Sequence, residues 1–323
     1  MSYFRKTLIG QGLSINVVDI IENSLSDGTK KQYSPVLRNW FEHCKSAKID
    51  FESASINNGL SFLAKLFNES NNGYSTLNNA RSALSLVIPC RGLSGTFGEH
   101  PLVTRFMTGV FKLRPALPRY TATYDADNVI AYLDKMPSSS LRDQTRKLAV
   151  LLNILSAQRS QTIAFLDINC IHQTDSSITF YIPDILKQSK KGRHLEPITY
   201  KSYSINPNLC PVTLIKDYLS RTKGLRHQLD TKFFISYVKP HRTVKSTTIA
   251  RWNVSILSDA GVDISIFKSH SLRMASSSKA NTKGLSLKEL NKAAGWSDNS
   301  STFAKYYKKK PIIENISDVL LSI

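Results

Sequence analysis

Apolar side chains in the first third of the chain recur every three or four residues, which is the spacing of one face of an α-helix. The first run follows Ser26-Asp27-Gly28, a polar segment of the kind that precedes helices. The pattern predicts a small all-α domain. The three apolar faces that carry the prediction are Tyr33/Val36/Leu37/Trp40/Phe41, Leu60/Leu63/Ala64/Phe67 and Leu77/Ala80/Leu84/Val87.

The rest of the chain contains further helix signals. Asp125 fits the N-cap position of a helix over 126–133, and apolar spacing predicts a longer helix over 140–155. Farther along, Ser286 and Glu289 form a capping-box pattern that predicts the start of another helix, and Gly295 is placed to end that helix.

Strand signals lie between these helices. Two runs rich in β-branched and aromatic residues, 177–182 and 196–200, predict strands. They flank the basic segment 187–193, so the three segments together predict a β-hairpin with a basic tip. We therefore expect this part to be mainly α with a small antiparallel β-sheet.

Two prolines separate the first helical part from the second. Pro115 and Pro118 each restrain their own φ and disfavour helix at the preceding residue, which predicts an extended linker over 113–119. A length of 323 residues suits two domains. We predict an all-α domain over 1–112 and a larger domain over 120–323.

The end of the chain is unusually apolar. A single helical stripe follows Pro311 with little polar relief, so the sequence predicts a terminal helix over 312–323 that must bury this stripe. Its members are Ile312, Ile313, Ile316, Val319, Leu320 and Ile323.

Composition narrows the class of partner. The chain has 43 Lys+Arg against 24 Asp+Glu, a formal net charge of +19, and its 41% hydrophobic residues suffice for ordinary cores. The four cysteines are scattered, without a CxxC pair or a histidine at a metal-ligand spacing, so no disulfide framework or metal site is predicted. No stretch approaches the roughly 20 apolar residues that span a bilayer, so we expect a soluble, intracellular protein. The positive charge then favours nucleic acid over a membrane.

Several short motifs in the second part are informative because of their order. Each is weak alone, since a solitary His-x-x-Arg or a buried tryptophan is usually structural. In chain order they are Ala157-Gln158-Arg159 after a helix, Lys187 on the hairpin, His270-Ser-Leu-Arg273, Gly295-Trp296-Ser, and Tyr306-Tyr307.

In this order the motifs resemble the tyrosine recombinase, or phage integrase, superfamily, whose catalytic set reads Arg, Lys, His-x-x-Arg, His or Trp, and Tyr. The amino-acid sequences of the segments 186–189, 294–297 and 301–307 most resemble those of recombinases from DIRS-like and Crypton-like mobile elements. The resemblance implies a two-domain C-shaped clamp on DNA with an all-α core-binding domain. It also implies a site-specific recombinase or integrase that cleaves and rejoins DNA through a covalent 3′-phosphotyrosyl intermediate.

Phosphoryl transfer to a tyrosine requires charge neutralisation at phosphorus and control of two protons. Arg159 and Arg273 offer planar forks that match the non-bridging oxygens of the scissile phosphate. His270 lies three residues before Arg273, so both share one helix face, and its imidazole can accept or return the tyrosine proton. The resemblance implies that Lys187 protonates the departing 5′ oxygen. Trp296 can donate only one N–H, so its role is positioning.

The nucleophile has two candidates. A phenol is mostly protonated at neutral pH and needs the field of the arginines and a nearby base. The sequence of the motif around the two tyrosines favours Tyr307, whereas the shorter Trp-to-Tyr spacing of many superfamily members favours Tyr306; Tyr307 is our prediction.

The sequence departs from the superfamily pattern after the first arginine. Many members have an acidic residue three positions on, where this chain has Thr162, and Asp167 lies farther along.

Other cations are candidates for DNA backbone contacts, and double-stranded DNA is the expected partner, bound more weakly as salt rises. No metal or other cofactor is expected, because the phosphotyrosyl bond conserves the energy of the broken phosphodiester. The candidate DNA-binding residues are Lys190, Lys191 and Arg193 on the hairpin, and Arg242, Lys245 and Arg251 around the start of a helix after Thr247.

The resemblance also implies a homo-oligomer, a tetramer on DNA, assembled through the segment 312–323, although that segment could instead pack on its own domain. A nuclear location is expected if the mobile-element likeness holds. Two other functions stay open. One is a type IB topoisomerase-like enzyme that relaxes supercoils, against which the helical amino-terminal domain and the terminal segment argue. The other is a catalytically inactive DNA-binding protein descended from a recombinase.

Overall fold

The computed structural model describes residues 1–90, 95–117, 120, 122–187, 189, 191–192, 194–297 and 300–308, with the backbone alone at 305 and 306. The chain divides into two compact units, Met1–Leu117 and Pro118–Ile323. Each unit has its own hydrophobic core. The division falls within the segment 113–119 that the two prolines mark.

The amino-terminal unit contains helices and no strand in its described residues. Polar caps set where the helices begin: the Ser26 hydroxyl accepts a hydrogen bond from the Thr29 N–H at 3.2 Å, and Ser55 forms a reciprocal capping box with Asn58. The helices are α1 Ser2–Gly10, α2 Ile15–Glu22, α3 Asp27–Ser46, α4 Ile56–Asn68, α5 Tyr74–Leu84 and α6 Pro101–Leu113.

The core of this unit forms around Trp40 on α3. Trp40 is fully buried and its ring meets that of Phe62 on α4 edge-on, with centroids 5.3 Å apart. Leu37, Leu63 and Leu77 are also fully buried. The helical faces predicted on α3, α4 and α5 are therefore confirmed, since burial of their apolar stripes joins the three helices.

Arg114 ties the first part of the predicted linker to this unit. Its Nη1 donates to the carbonyl oxygens of Phe67, Ser70 and Asn72 at 2.8, 3.0 and 3.1 Å. The guanidinium also lies over the Phe67 ring, 3.8 Å from its centroid. These bonds satisfy carbonyls at and beyond the carboxyl end of α4, which no helix bond can reach.

The carboxy-terminal unit carries the caps predicted at Asp125 and Ser286, and Ser140 provides a further one. Asp125 accepts from the Asp127 N–H at 3.0 Å, Ser140 accepts from the Asp143 N–H at 3.0 Å, and Ser286 forms its capping box with Glu289. The helices are α7 Ala126–Lys135, α8 Leu141–Ser156, α9 Ser160–Ala164, α10 Pro211–Thr222, α11 Ser246–Asp259, α12 Ser271–Thr282 and α13 Leu287–Ala294, followed by a π-helical turn, Phe303–Tyr307.

The carboxy-terminal unit also contains a three-stranded antiparallel sheet. Its strand order is β1 Ile171–Gln173, β2 Ser177–Phe180 and β3 Ile198–Lys201. The β2–β3 pairing confirms the predicted hairpin. The strands are shorter than predicted because Pro183 and Pro197 lack the N–H that a ladder requires. Strand β1 was not predicted, since three residues, two of them exposed, carry no alternation signal.

Helix α8 lies at the centre of the unit. Residues on all its faces are buried from Gln144 to Ile154, so it is packed on every side rather than along one stripe. It ends at Ala157, which adopts the left-handed conformation with φ 50°. The chain thereby turns sharply just before Arg159. In the described part of the chain, no helix has the length and apolar character that crossing a membrane demands.

Candidate active site

Three segments of the carboxy-terminal unit meet around one cavity of about 300 Å³. Arg159 comes from the turn after α8, His270 and Arg273 from the start of α12, and both α8 and α11 supply further lining residues. Tyr307, in the π-helical turn, contacts the His270 and Arg273 side chains. With Trp296, whose ring contacts Arg273 and Tyr307, five of the six predicted catalytic residues are brought together by elements that are distant along the chain.

Arg273 is buried to 1% exposure. Its Nη1 donates to the Ala157 carbonyl oxygen at 2.9 Å, so the left-handed turn after α8 is held by this arginine. Its Nε and Nη2 have no hydrogen-bond partner among the described residues. Two donors of one guanidinium are therefore available for a bidentate bond to an anion.

The two arginines are close enough to affect each other's ionisation. Burial lowers the pKa of Arg273 to about 9, and the charge on Arg159 adds to this lowering. Burial also lowers the pKa of Arg159, an effect that the nearby Tyr307 opposes. Two desolvated like charges side by side favour a bound anion, because it would offset both the burial and the repulsion.

Tyr307 lies beside a candidate base. Its hydroxyl is 2.5 Å from Nε2 of His270, and with the ring proton on Nδ1 the phenol is the donor. Tyr307 is 7% exposed, whereas His270 is exposed at the N-cap of α12. The Ser278 hydroxyl donates to the Tyr307 carbonyl and fixes the turn on α12. The Tyr306 side chain lies outside the described residues.

Trp296 packs on the catalytic cluster. Its indole covers the Arg273 guanidinium at 4.3 Å and lies 4.9 Å from the Tyr307 ring, and it is 5% exposed. The left-handed Gly295, with φ 67°, ends α13 and turns the indole onto these side chains. The sequence predicts a positioning role for Trp296, and its packing against Arg273 is consistent with such a role.

Lys187 is apart from the cluster. It lies exposed in the connection between β2 and β3, beside a turn in which the Ser189 N–H donates to the Leu186 carbonyl at 2.9 Å, and it does not line the cavity. Lys191 is exposed in the same connection. Lys190 and Arg193 lie outside the described residues.

The cations predicted near α11 are all at the surface. Arg242 and Lys245 are exposed in the segment before the helix, and Arg251 is exposed on its second turn. None of the three lines the cavity. The predicted terminal helix 312–323 lies outside the described residues.

Asp167 does not take the place of the acidic residue that many superfamily members have after the first arginine. Its carboxylate accepts from the Thr231 hydroxyl at 2.6 Å and from Lys232 Nζ at 3.3 Å, and it is not a cavity residue. Thr162, three residues after Arg159, is fully buried on α9. No carboxylate lines the described cavity, so the imidazole is the candidate base there. Among the described residues no cluster of His, Cys, Asp and Glu could hold a metal ion.

Sequence reasoning missed the residues that hold the cluster together. Asn253 on α11 is fully buried, and its Nδ2 donates to Ser269 Oγ at 2.9 Å and Ser160 Oγ at 3.3 Å. These serines, 3.0 Å apart, are the chain neighbours of His270 and Arg159. A polar residue on the buried face of α11 was the only available signal, because the partners are 93 and 16 residues away.

Gln158 makes a second link. Its Nε2 donates to the Ala293 carbonyl at 2.6 Å and the side chain is buried. This bond joins the Arg159 turn to the last turn of α13, just before Gly295 and Trp296. The arginine turn is therefore tied both to α12, through Arg273, and to α13.

Comparison with known proteins gives a family and a fold. The family model described as the phage integrase family matches residues 123–311. No curated protein matches the sequence. Among solved structures, a XerH site-specific recombinase bound to palindromic difH substrate in a post-cleavage complex is 15% identical, with a TM-score of 0.59 over 90% of this chain and 79% of that chain. A Tn1549 transposon integrase in complex with transposon right end DNA is 11% identical, with a TM-score of 0.63 over 99% of this chain and 96% of that one.

Proposed function

The chain belongs to the phage integrase family of tyrosine recombinases, and from that premise we propose how its own residues cut and rejoin DNA. The family model covers more than half of the chain. The protein is a site-specific tyrosine recombinase, an enzyme that cleaves and rejoins DNA strands. The proposal concerns the chemical roles of its individual side chains.

One observation carries the assignment. The Tyr307 hydroxyl is hydrogen-bonded to His270 Nε2 beside Arg273, whose Nε and Nη2 have no partner among the described residues. A nucleophile, a base and an oxyanion clamp therefore adjoin one another. This is the arrangement that in-line attack on a phosphodiester requires.

In the cleavage step, the Tyr307 oxygen attacks the scissile phosphorus and its proton passes to His270 Nε2. The bond from phosphorus to the 5′ oxygen breaks, and a 3′-phosphotyrosyl ester forms. Arg159 and Arg273 bind the non-bridging oxygens and neutralise the charge that develops on them. The indole of Trp296 packs against the Arg273 guanidinium and holds it in position.

The departing 5′ oxygen needs a proton, which we assign to Lys187. An exposed lysine in the connection between two strands can be brought to the DNA when the complex forms. In the rejoining step a 5′ hydroxyl of the same or another strand attacks the phosphotyrosyl ester and gives its proton to the neutral Lys187. The bond from phosphorus to the tyrosine oxygen breaks, and the tyrosine recovers its proton from His270. The number of phosphoester bonds is conserved, so the residues named here complete the reaction without an external energy source.

The test of this assignment uses a DNA site with a nick that traps the cleaved strand. The wild type and Tyr306→Phe are expected to form a covalent protein–DNA adduct, and Tyr307→Phe is expected to form none. Adduct formation by Tyr307→Phe at the wild-type rate would contradict the assignment. On plasmids, recombinant products between two sites distinguish a recombinase from a topoisomerase-like enzyme, which relaxes supercoils only.

For the whole protein we propose that the predicted domains over 1–112 and 120–323 both contact the duplex. The net charge of +19 supports an extended phosphate-contacting surface, to which Arg242, Lys245 and Arg251 contribute. Hydroxyl-radical footprinting of the full chain and of a protein cut in the linker tests this. Identical footprints would contradict contacts by both domains.

We also propose that the apolar segment 312–323 joins protomers into a tetramer on DNA. The support is its sequence, in which six aliphatic residues lie on one helical stripe. Truncation after Lys310 is expected to leave monomers on single sites and to abolish paired-site complexes in native gels. Unchanged assembly would show that the segment packs on its own unit.

The motif wording at 186–189, 294–297 and 301–307 supports a finer proposal, that the enzyme serves a DIRS-like or Crypton-like mobile element and acts in the nucleus. Sequencing the DNA that is covalently attached to the protein in cells is expected to recover element ends or their target sites. Recovery of unrelated chromosomal sites in equal number would contradict the proposal.

A further inference from the structure

The cavity at the active site has a wall that the catalytic residues do not form. Ser246, Thr247 and Ala250, in the first two turns of α11, line it, and Asn153 on α8 lines it as well. The described lining contains two arginines, a histidine and neutral polar side chains, but no aspartate or glutamate. Such a lining is built for a ligand that accepts hydrogen bonds and carries negative charge.

The amino-terminal end of α11 is itself open to a ligand. The helix has 14 residues, and its N-cap, Lys245, provides no side-chain cap. No backbone carbonyl among the described residues accepts a hydrogen bond from the N–H groups of Ser246 and Thr247. Because the first N–H groups of a helix point away from it and carry partial positive charge, they bind anions readily.

Two buried side chains in the same cavity independently require an acceptor. Asn153 is 2% exposed and its Nδ2 has no partner within the described part of the chain. Arg273 is 1% exposed, and its Nε and Nη2 are likewise without partners there. All three of these atoms without hydrogen-bond partners are donors. A ligand with several acceptor atoms, bound between α8, α11 and α12, would therefore satisfy them together.

We propose that the first turn of α11 is a further phosphate-binding element of this enzyme, in addition to Arg159 and Arg273. Ser246 and Thr247 bind the oxygens of a phosphodiester with their backbone N–H groups and hydroxyls, facing the guanidiniums of Arg159 and Arg273, and Asn153 donates from the side. The small side chain of Ala250 leaves the space for the phosphate. The choice of a phosphodiester rests on the proposed function, whereas the anion site itself rests on the cavity.

The volume agrees with this occupancy. About 300 Å³ corresponds to the share of roughly ten waters in the liquid, which exceeds one phosphate and leaves room for the adjoining sugar. The α11 turn would therefore bind the scissile phosphate from the side that the two arginines leave open. This assigns substrate-binding roles to Ser246, Thr247 and Asn153.

The test titrates inorganic phosphate into the full-length protein at constant ionic strength and derives the dissociation constant from the rise in Tm. Thr247→Asp places a carboxylate in the cavity, while Thr248→Asp places the same charge on the next residue, which does not line it. Both acids lie in the first turn of α11, where negative charge stabilises a helix, so neither is expected to lower Tm without phosphate.

We expect Thr247→Asp to weaken phosphate binding at least about tenfold and Thr248→Asp by less than about threefold, since Coulomb repulsion falls with distance. The double variant Ser246→Ala/Thr247→Val removes only hydroxyls and is expected to weaken binding about threefold to tenfold. Equal weakening by both aspartates, wild-type binding by Thr247→Asp and by the double variant, or no phosphate binding by the wild type would overturn the proposal.

A second readout separates this site from the chemistry. Tyr307→Phe is expected to bind phosphate like the wild type while forming no DNA adduct. Phosphate binding that depends on Thr247, in a wild type that never forms an adduct, would leave the anion site standing and remove the recombination mechanism. Normal adduct formation and normal phosphate binding by Thr247→Asp would remove the α11 site alone.

Discussion

Replacing Asn253 by leucine separates active-site geometry from fold stability. The change keeps the side-chain volume and removes the hydrogen bonds to Ser160 and Ser269, at 3.3 and 2.9 Å. Each such bond contributes about 0.5–1.5 kcal/mol net, so their loss costs about 1–3 kcal/mol. Asn253 Oδ1, however, is buried without a partner among the described residues, and removing an unsatisfied buried acceptor returns about 1–3 kcal/mol.

The two effects nearly cancel, so the free energy of unfolding is expected to change by less than about 1.5 kcal/mol. Catalysis has no such compensation. Asn253 fixes the chain neighbours of Arg159 and His270, and a displacement of about 1 Å at reacting groups can cost about 100-fold in rate. The remaining Ser160–Ser269 bond retains part of the geometry, so we expect cleavage to slow about 10- to 100-fold.

The assay is single-turnover adduct formation at saturating DNA, with urea unfolding measured on the same preparations. Ile256→Val, a buried change on the same helix, is the matched control. It is expected to cost about 0.5–1.5 kcal/mol of stability and to leave the cleavage rate unchanged. Cleavage by Asn253→Leu at the wild-type rate would contradict the positioning role of Asn253. Equal slowing of cleavage by Ile256→Val would contradict it as well.

Three further substitutions test individual roles. Lys187→Ala is expected to slow cleavage of normal DNA about 100-fold or more, but not of DNA with a sulfur leaving group at the 5′ position, which needs no proton; Lys191→Ala is expected to change neither rate. Burial lowers the pKa of Arg273 to about 9. A lysine there starts from a lower pKa and is expected to be largely neutral at pH 8, so Arg273→Lys should regain cleavage as the pH falls, and a flat pH profile would contradict this. Trp296→Phe retains a ring over the guanidinium and is expected to cleave within about tenfold of wild type, whereas Trp296→Ala should lose far more; equal rates would contradict the packing role.

Local signals in the sequence predicted the elements well where one or two residues set the geometry. Ser26, Ser140 and Ser286 cap helices through bonds to residues three positions away, so the signal and the bond lie within one turn. Apolar spacing predicted α3 and α8 for the same reason. Strand β1 was not predicted, because its three residues form a strand through their pairing with β2 and not through a pattern in their own sequence.

The candidate site divides along the same line. Arg159, His270, Arg273 and Tyr307 were recognised by the order of short motifs, and the structure adds their mutual distances. The residues that hold them were not recognisable, because Asn253 and Gln158 act on partners up to 135 residues away. The left-handed Ala157 gave no signal either, since that conformation is usually left to glycine.

Asp167 shows why residue type alone does not give a role. It was the acidic residue nearest to the expected position after Arg159, yet the fold brings Lys232 and Thr231 against its carboxylate. Lys232 in turn bonds Asp184 at 2.7 Å. These contacts arise from how distant segments pack, which no local pattern in the sequence records.

We propose that Tyr307 carries the DNA during recombination. The direct measurement is peptide mapping by mass spectrometry of the covalent adduct formed on a nicked site, after nuclease digestion to a nucleotide remnant. The remnant is expected on Tyr307, and His270→Ala is expected to reduce its yield. A remnant on Tyr306, or no adduct from a protein that binds the same DNA, would contradict it.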